Sequence, residues 1–189
     1  MALKADAFLL VDAQVDFFPG GALPVPGADA ILPAVNALLA ACRVQRIPVV
    51  ASRDWHPADH ASFIPQGGPW PPHCVRGTGG ADFHPDLDLP PVLTLVDKAT
   101  ARDRDAYSAF EGTELANELR DRGIGSLLVA GLALDYCVEA TCRDAVREGF
   151  EVRVVLPATR AVDLHPGDAE RAVEELRTAG VAVLDEVPR

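Results

Sequence analysis

Six short apolar runs constrain this chain more than any other feature. They are AFLLV (Ala7 to Val11), IPVVAS (Ile47 to Ser52), VLTLV (Val92 to Val96), SLLVAG (Ser126 to Gly131), VRVVL (Val152 to Leu156) and VAVL (Val181 to Leu184). None alternates apolar with polar residues along its length. A strand with one wet face must alternate, whereas a strand covered on both faces reads as a near-continuous apolar run. Helical patterns lie between the runs. DAILPAVNALLAACR puts Ile31, Val35, Leu38, Leu39 and Cys42 on one face. GTELANELRDRG sets Leu115 and Leu119 one turn apart before Gly123, and DYCVEATCRDAVREG turns Val138, Cys142, Ala145 and Val146 inward before Gly149. GDAERAVEELRTAG carries Ala172, Val173 and Leu176 before Gly180. Glycine just past a periodic segment is a helix stop. Strand and helix in alternation predict an α/β fold: an open six-stranded parallel sheet with helices on both faces and right-handed crossovers.

The length of 189 residues suits one domain, 1–189. Residues 53–91 break the pattern. They are rich in Pro, Gly, His and aromatic residues and show no period. An irregular insertion this long is functional or disordered, and Trp55, Phe63, Trp70 and Phe83 make it too aromatic for disorder. A net charge of −11 argues against nucleic acid or an anionic membrane as partner. The N-terminus lacks a signal-peptide pattern, and no run approaches the length of a membrane span. Cys42, Cys74, Cys137 and Cys142 form no CxxC pair, which favours reduced thiols in a cytoplasm. Cys42 and Cys142 fall on apolar helix faces and read as core.

In an open α/β sheet, ligands bind beyond the carboxyl ends of the strands. Asp12 follows the first run, Asp54 the second, Lys98 the third, and GLALDYC, ending in Cys137, the fourth. A cysteine opening a helix is a candidate nucleophile, because the helix dipole and a nearby cation favour its thiolate. With Lys98 as cation and Asp12 as proton acceptor, Cys137 is equipped for acyl transfer. The alternatives are a cysteine that is simply buried and an Asp12–Lys98 ion pair that is only structural.

A second group sits in the insertion. Asp54, His56 and His60 fall within seven residues, and His73 follows thirteen residues later. Asp54 and His56 point to the same side of an extended segment. This donor set suits a divalent transition metal, zinc first, with iron and manganese as alternatives. The competing reading is surface histidines on a loop. Cys74 neighbours His73 and is poorly placed to share its metal, while His84 and His165 read as solvated.

The motifs VDAQVDFFPGGALPV, SRDWHPADHASF, WPPHCVRGTGGADFHPDL, DAYSAF and GLALDYCVEATCRDA, in this order, resemble those of the nicotinamide-hydrolysing branch of the isochorismatase-like cysteine hydrolase family. The resemblance spans nearly the whole chain. It implies Asp12, Lys98 and Cys137 as a catalytic triad, and Asp54, His56, His60 and His73 as metal ligands. It implies an oxyanion hole from the backbone N–H groups of Ala133 and Cys137, with a cis peptide before Ala133. Phe17, Trp70 and Tyr107 match the aromatic residues that hold a pyridine ring. The implied reaction converts nicotinamide to nicotinate and ammonia through a thioester. The rivals are another small-amide or carbamoyl hydrolase on the same triad, a hydrolase using metal-bound hydroxide, and a binding module that keeps the fold. Family members are often dimers or larger, but no exposed apolar stripe in this sequence fixes a homo-oligomer. One departure stands out: Ala99 follows Lys98 where the family usually has Gly.

Overall fold

The computed structural model describes residues 3–188. Its centre is a six-stranded, wholly parallel sheet: β1 (Ala7–Val11), β2 (Val49–Asp54), β3 (Thr94–Lys98), β4 (Ser126–Leu132), β5 (Glu151–Arg160) and β6 (Ala182–Leu184). The spatial order is β3-β2-β1-β4-β5-β6. The chain therefore builds outward from β1 in one direction, then from β4 in the other. The gap between the ends of β1 and β4 is the switch point where such sheets hold their ligands.

Four helices cover the sheet: α1 (Leu32–Gln45), α2 (Leu115–Asp121), α3 (Glu139–Arg147) and α4 (Asp168–Thr178). Strand side chains alternate between two cores. Phe8, Leu10, Ala51, Leu128 and Ala130 pack with Val35, Leu38, Leu39 and Cys42 of α1. Leu9, Val11, Val50, Leu127 and Val129 pack on the opposite face with Leu115 and Leu119, Cys142 and Ala145, and Ala172 and Leu176. The α/β architecture with helices on both faces is thus as expected, and all four helix patterns lie where their spacing put them. Val146 and Val173 are the exceptions, half-buried at the margins of their stripes.

Three strand readings need correction. β2 starts at Val49 because Pro48 has no N–H to donate, although its carbonyl accepts from Phe8. β2 and β3 then run past their apolar parts, and the ladder ends on the pair Asp54–Lys98. Both residues are strand ends, not loop starts. β3 is an edge strand and does alternate: Val96 and Lys98 face inward, Leu95 and Asp97 outward, while Val92 stays outside the strand and 85% exposed. β5 is twice its expected length, because a bulge lets it continue to Arg160. Its register with β4 jumps from Val129–Val154 to Gly131–Thr159, and Pro157 sits in the unpaired stretch where a missing N–H breaks no ladder bond.

Residues 55–93 form an irregular excursion beyond the carboxyl ends of β2 and β3, with single-turn 3₁₀ helices at Ile64–Gln66 and Gly79–Ala81. No helix among the described residues is long and apolar enough to cross a membrane.

Candidate active site

Asp12 ends β1 with a left-handed backbone (φ 45°), unusual for a residue other than glycine. The twist turns its carboxyl under the switch point, where it is wholly buried. The neighbouring strand permits this because position 131 is glycine. A Cβ there would lie 1.9 Å from the Val11 carbonyl oxygen. Ser52, inside β2, donates its hydroxyl to Asp12 Oδ1 at 2.7 Å.

Lys98 reaches the same point from the end of β3 and is also buried. Its Nζ donates to Asp54 Oδ1 (2.5 Å), the Ala106 carbonyl (3.0 Å) and Cys137 Sγ (3.5 Å). Those three bonds use the three protons of an ammonium. Asp12 Oδ2 lies 2.9 Å from the same nitrogen, a fourth partner for its charge. Asp12 thus has the Ser52 hydroxyl on one oxygen and the Lys98 ammonium beside the other. Burial raises the Asp12 pKa, opposed by the Lys98 charge and reinforced by Asp54. For Asp54 burial acts in the same direction, but Lys98 and His56 outweigh it and hold its carboxyl well below the usual range. Lys98 also resists burial: the two carboxylates keep its pKa well above the ordinary lysine value.

Cys137 lies in a single π-turn, Leu134–Val138, that leads into α3. The Leu132–Ala133 peptide is cis, and the Ala133 carbonyl accepts the N–H groups of Tyr136 and Val138 on either side of the cysteine. Asp12, Asp54 and Cys137 each bring a polar side-chain atom within 4.8 Å of the others. The cation expected to favour the Cys137 thiolate is outweighed in this geometry. Burial pushes the Cys137 thiol well above its ordinary value, and although Lys98 pulls it down, Asp12 and Asp54 push it up again. Asp12 was expected here as the proton acceptor; Asp54, expected only as a metal ligand, adds a second negative charge beside the thiol.

The second group assembles next door, with Asp54 common to both. Asp54 Oδ2 faces His56 Nε2 at 3.6 Å and His73 Nε2 at 3.9 Å. The His73 Nδ1–H donates to the Pro71 carbonyl (2.8 Å), leaving Nε2 with its lone pair toward Asp54. Burial lowers the His73 pKa and favours the neutral ring a metal needs. Both ring nitrogens of His56 are buried with no hydrogen-bond partner. A buried imidazole with nothing to bind is costly, so this donor set fits a divalent metal. His60 stands apart in one respect. Its ring lies 4.3 Å from that of His56, but Nδ1 bonds to Ser62 and Nε2 to the Arg104 carbonyl. Together with His56 and Asp105 it makes a separate cluster. Among the described residues, Cys74 belongs to neither cluster. Its N–H donates to Asp16 Oδ2 at 2.7 Å. His165 is exposed as expected, whereas His84 is half-buried 4.3 Å from the ring of Phe18.

One pocket joins the two groups. Phe17, Trp70, Tyr107 and Tyr136 supply its aromatic walls, and Asp54, His73, Ala133 and Cys137 line its polar end. Trp70 Nε1 donates to the Tyr107 hydroxyl at 3.1 Å, closing one side. Tyr136 packs edge-on to Trp70 at 5.5 Å. Tyr136, Ser52 and Asp16 were missed from sequence. Tyr136 was findable, because it directly precedes the candidate nucleophile. Ala99, in place of the usual glycine, adopts the left-handed backbone a glycine would take (φ 51°).

Residues 6–186 match the isochorismatase domain family. The nicotinamidase/pyrazinamidase of Mycobacterium tuberculosis is 42% identical over 186 residues, covering 94% of this chain and 97% of its own. Among solved structures, the pyrazinamidase of Pyrococcus horikoshii in complex with zinc superposes with a TM-score of 0.91 at 46% identity, over 95% of this chain and 98% of its own. The L. infantum protein PnC1 in complex with nicotinate gives a TM-score of 0.88 at 38% identity, over 96% and 92%.

Proposed function

This chain belongs to the isochorismatase family, and we propose that within it the protein is a nicotinamidase, hydrolysing nicotinamide to nicotinate and ammonia. Relatives of that activity match along nearly the whole chain. The observation that carries the reading to chemistry is Lys98 Nζ, placed 2.9 Å from Asp12 and 3.5 Å from Cys137, which itself lines an aromatic pocket.

The substrate ring lies among Phe17, Trp70 and Tyr107, with the carboxamide over Cys137. Asp12 accepts the thiol proton as Sγ bonds to the carboxamide carbon. A carboxyl whose pKa is raised by burial is a better base for this than a solvated one. The backbone N–H groups of Ala133 and Cys137 face the oxygen that becomes negative, an arrangement worth about 3 kcal/mol per donor in other acyl-transfer enzymes. The C–N bond breaks, Asp12 returns the proton to the departing ammonia, and a thioester remains. Water then attacks the thioester carbon, Asp12 takes the water proton, and nicotinate leaves as Sγ regains a proton. Lys98 stays charged throughout and offsets the two carboxylates.

Asp54, His56 and His73 would hold a divalent metal, with His60 joining only by giving up a present hydrogen bond. Zinc is the first choice, supported by the zinc complex of the P. horikoshii relative. Such an ion supplies a Lewis-acid partner for the ring nitrogen. We read residues 1–189 as one domain, in which the excursion at 55–93 supplies the histidines of this second half and the end of β2 supplies Asp54. Its setting is the cytoplasm and its role NAD salvage, in keeping with four free cysteines.

Ammonia release from nicotinamide tests the proposal. The wild type should turn over, while Cys137→Ala should fold, bind nicotinate and release none. Substantial activity in that variant refutes the covalent route. No activity in zinc-loaded wild type moves the substrate to another small amide.

A further inference from the structure

Gln14 is wholly buried two residues beyond Asp12, and the chemistry above does not use it. Its side chain makes three hydrogen bonds. Oε1 accepts the Asp54 N–H at 2.8 Å, and Nε2 donates to the Asp54 carbonyl at 2.8 Å and to the Ala81 carbonyl at 2.9 Å. Both backbone groups of one residue are thus held by one amide.

The strand ladder explains why this is needed. Along a strand, the N–H and C=O groups of successive residues point alternately to the two neighbours. Trp55 N–H bonds the Lys98 carbonyl on the β3 side, so the backbone groups of Asp54 face the β1 side. There β1 has already ended at Val11, because Asp12 turns away. Two buried peptide groups would be left unpaired at the residue that serves both halves of the site. The Gln14 amide occupies that edge as a surrogate strand. Its third bond fastens Asp54 to the segment around Ala81, and the Gln14 backbone bridges Phe83 in that segment.

We propose that Gln14 is a positioning residue for the metal centre: it fixes the backbone of Asp54 so that Oδ1 meets Lys98 while Oδ2 faces His56 and His73. The inference rests on the metal reading above. The residue type follows from the geometry. Asn is one methylene too short to span the same three groups, Glu would set an oxygen against two carbonyls, and Met would leave all three unpaired.

The test is zinc affinity, measured on folded protein by competition with a chromophoric chelator, for wild type, Gln14→Glu and Gln14→Met. Removing partners beyond the ligands themselves typically weakens metal binding 10–100-fold, and both variants should lose at least tenfold. A purely structural Gln14 would lower the melting temperature of the chelated protein and leave affinity within threefold; that result overturns the inference. Wild type that holds no zinc in the same assay overturns the metal reading instead, and this inference with it. Should neither variant fold, solvent exchange of the Gln14 side-chain amide in wild type decides. Coupling is reciprocal, so zinc should slow that exchange at least tenfold, and equal exchange with and without zinc refutes the role.

Discussion

Replacing Lys98 by Met removes the one cation that Asp12 and Asp54 share, in a site where all three side chains are buried. Met keeps the length and the apolar stem of lysine, so the packing loss is small and the electrostatic loss dominates. Breaking a buried ion pair by deleting one partner costs about 3–5 kcal/mol. An independent estimate gives a similar figure. The stranded carboxylates can escape by binding a proton, and neutralising one aspartate at pH 7 costs about 4 kcal/mol, at roughly 1.4 kcal/mol for each pH unit above its ordinary pKa. The variant, stripped of metal by a chelator, should therefore lose about 4 kcal/mol in urea unfolding at pH 7. The sign of the pH dependence follows from that proton. The folded variant binds it and the unfolded chain at neutral pH does not, so relative stability falls as pH rises. Between pH 7 and pH 5 the deficit should shrink by roughly 1.4 kcal/mol per unit for each extra proton bound. Asp12→Asn in the Lys98→Met background should recover part of the loss at pH 7. A deficit below about 1 kcal/mol, or one that does not change with pH, would refute the view that Lys98 is what makes two buried carboxylates tolerable.

Three further substitutions probe the frame around the site. Gly131→Ala sets a Cβ 1.9 Å from the Val11 carbonyl oxygen at φ 121°, and overpacking with backbone strain should cost about 2–4 kcal/mol; a native melting temperature would show that β1 and β4 can part freely. Ala99→Gly should be nearly neutral in thermal unfolding, because relief of about 1–2 kcal/mol of left-handed strain is offset by a looser unfolded chain and a lost buried methyl. Ala99→Val, β-branched at the same φ, should instead lose about 2 kcal/mol or more. Asp6 accepts the N–H groups of Gly125 and Ser126 and the Ser126 hydroxyl. Those bonds, Gly125 first, hold its pKa below 3.8. Its contribution is present above that value and lost as pH falls through the folded-state pKa. Asp6→Asn should therefore cost roughly 1 kcal/mol at pH 7, discounted for exposure, with the gap to wild type closing in acid urea titrations.

How much of this was legible in the sequence depends on the range of the interaction involved. Strand centres and helix faces were readable, because burial on one or two sides writes a local period. The ends of β2 and β3 were not, since Asp54 and Lys98 are held in the ladder by each other, 44 residues apart. Asp12, Lys98 and Cys137 could be gathered at one end of the sheet from topology alone, but the protonation state of the thiol could not. It depends on burial and on how one ammonium is set against two carboxylates around it. Given Asp12 and Cys137 only, Lys98 would favour a thiolate. With Asp54 also drawing on the ammonium, two carboxylates share one cation beside the thiol, and burial holds the thiol protonated. Burial, reinforced by Asp54, leaves Asp12 a carboxylate of raised basicity, with an oxygen within 4.8 Å of that thiol. The charge imbalance that an interior would ordinarily select against is thus what supplies the general base, and the Lys98 ammonium keeps it small enough for the fold to tolerate.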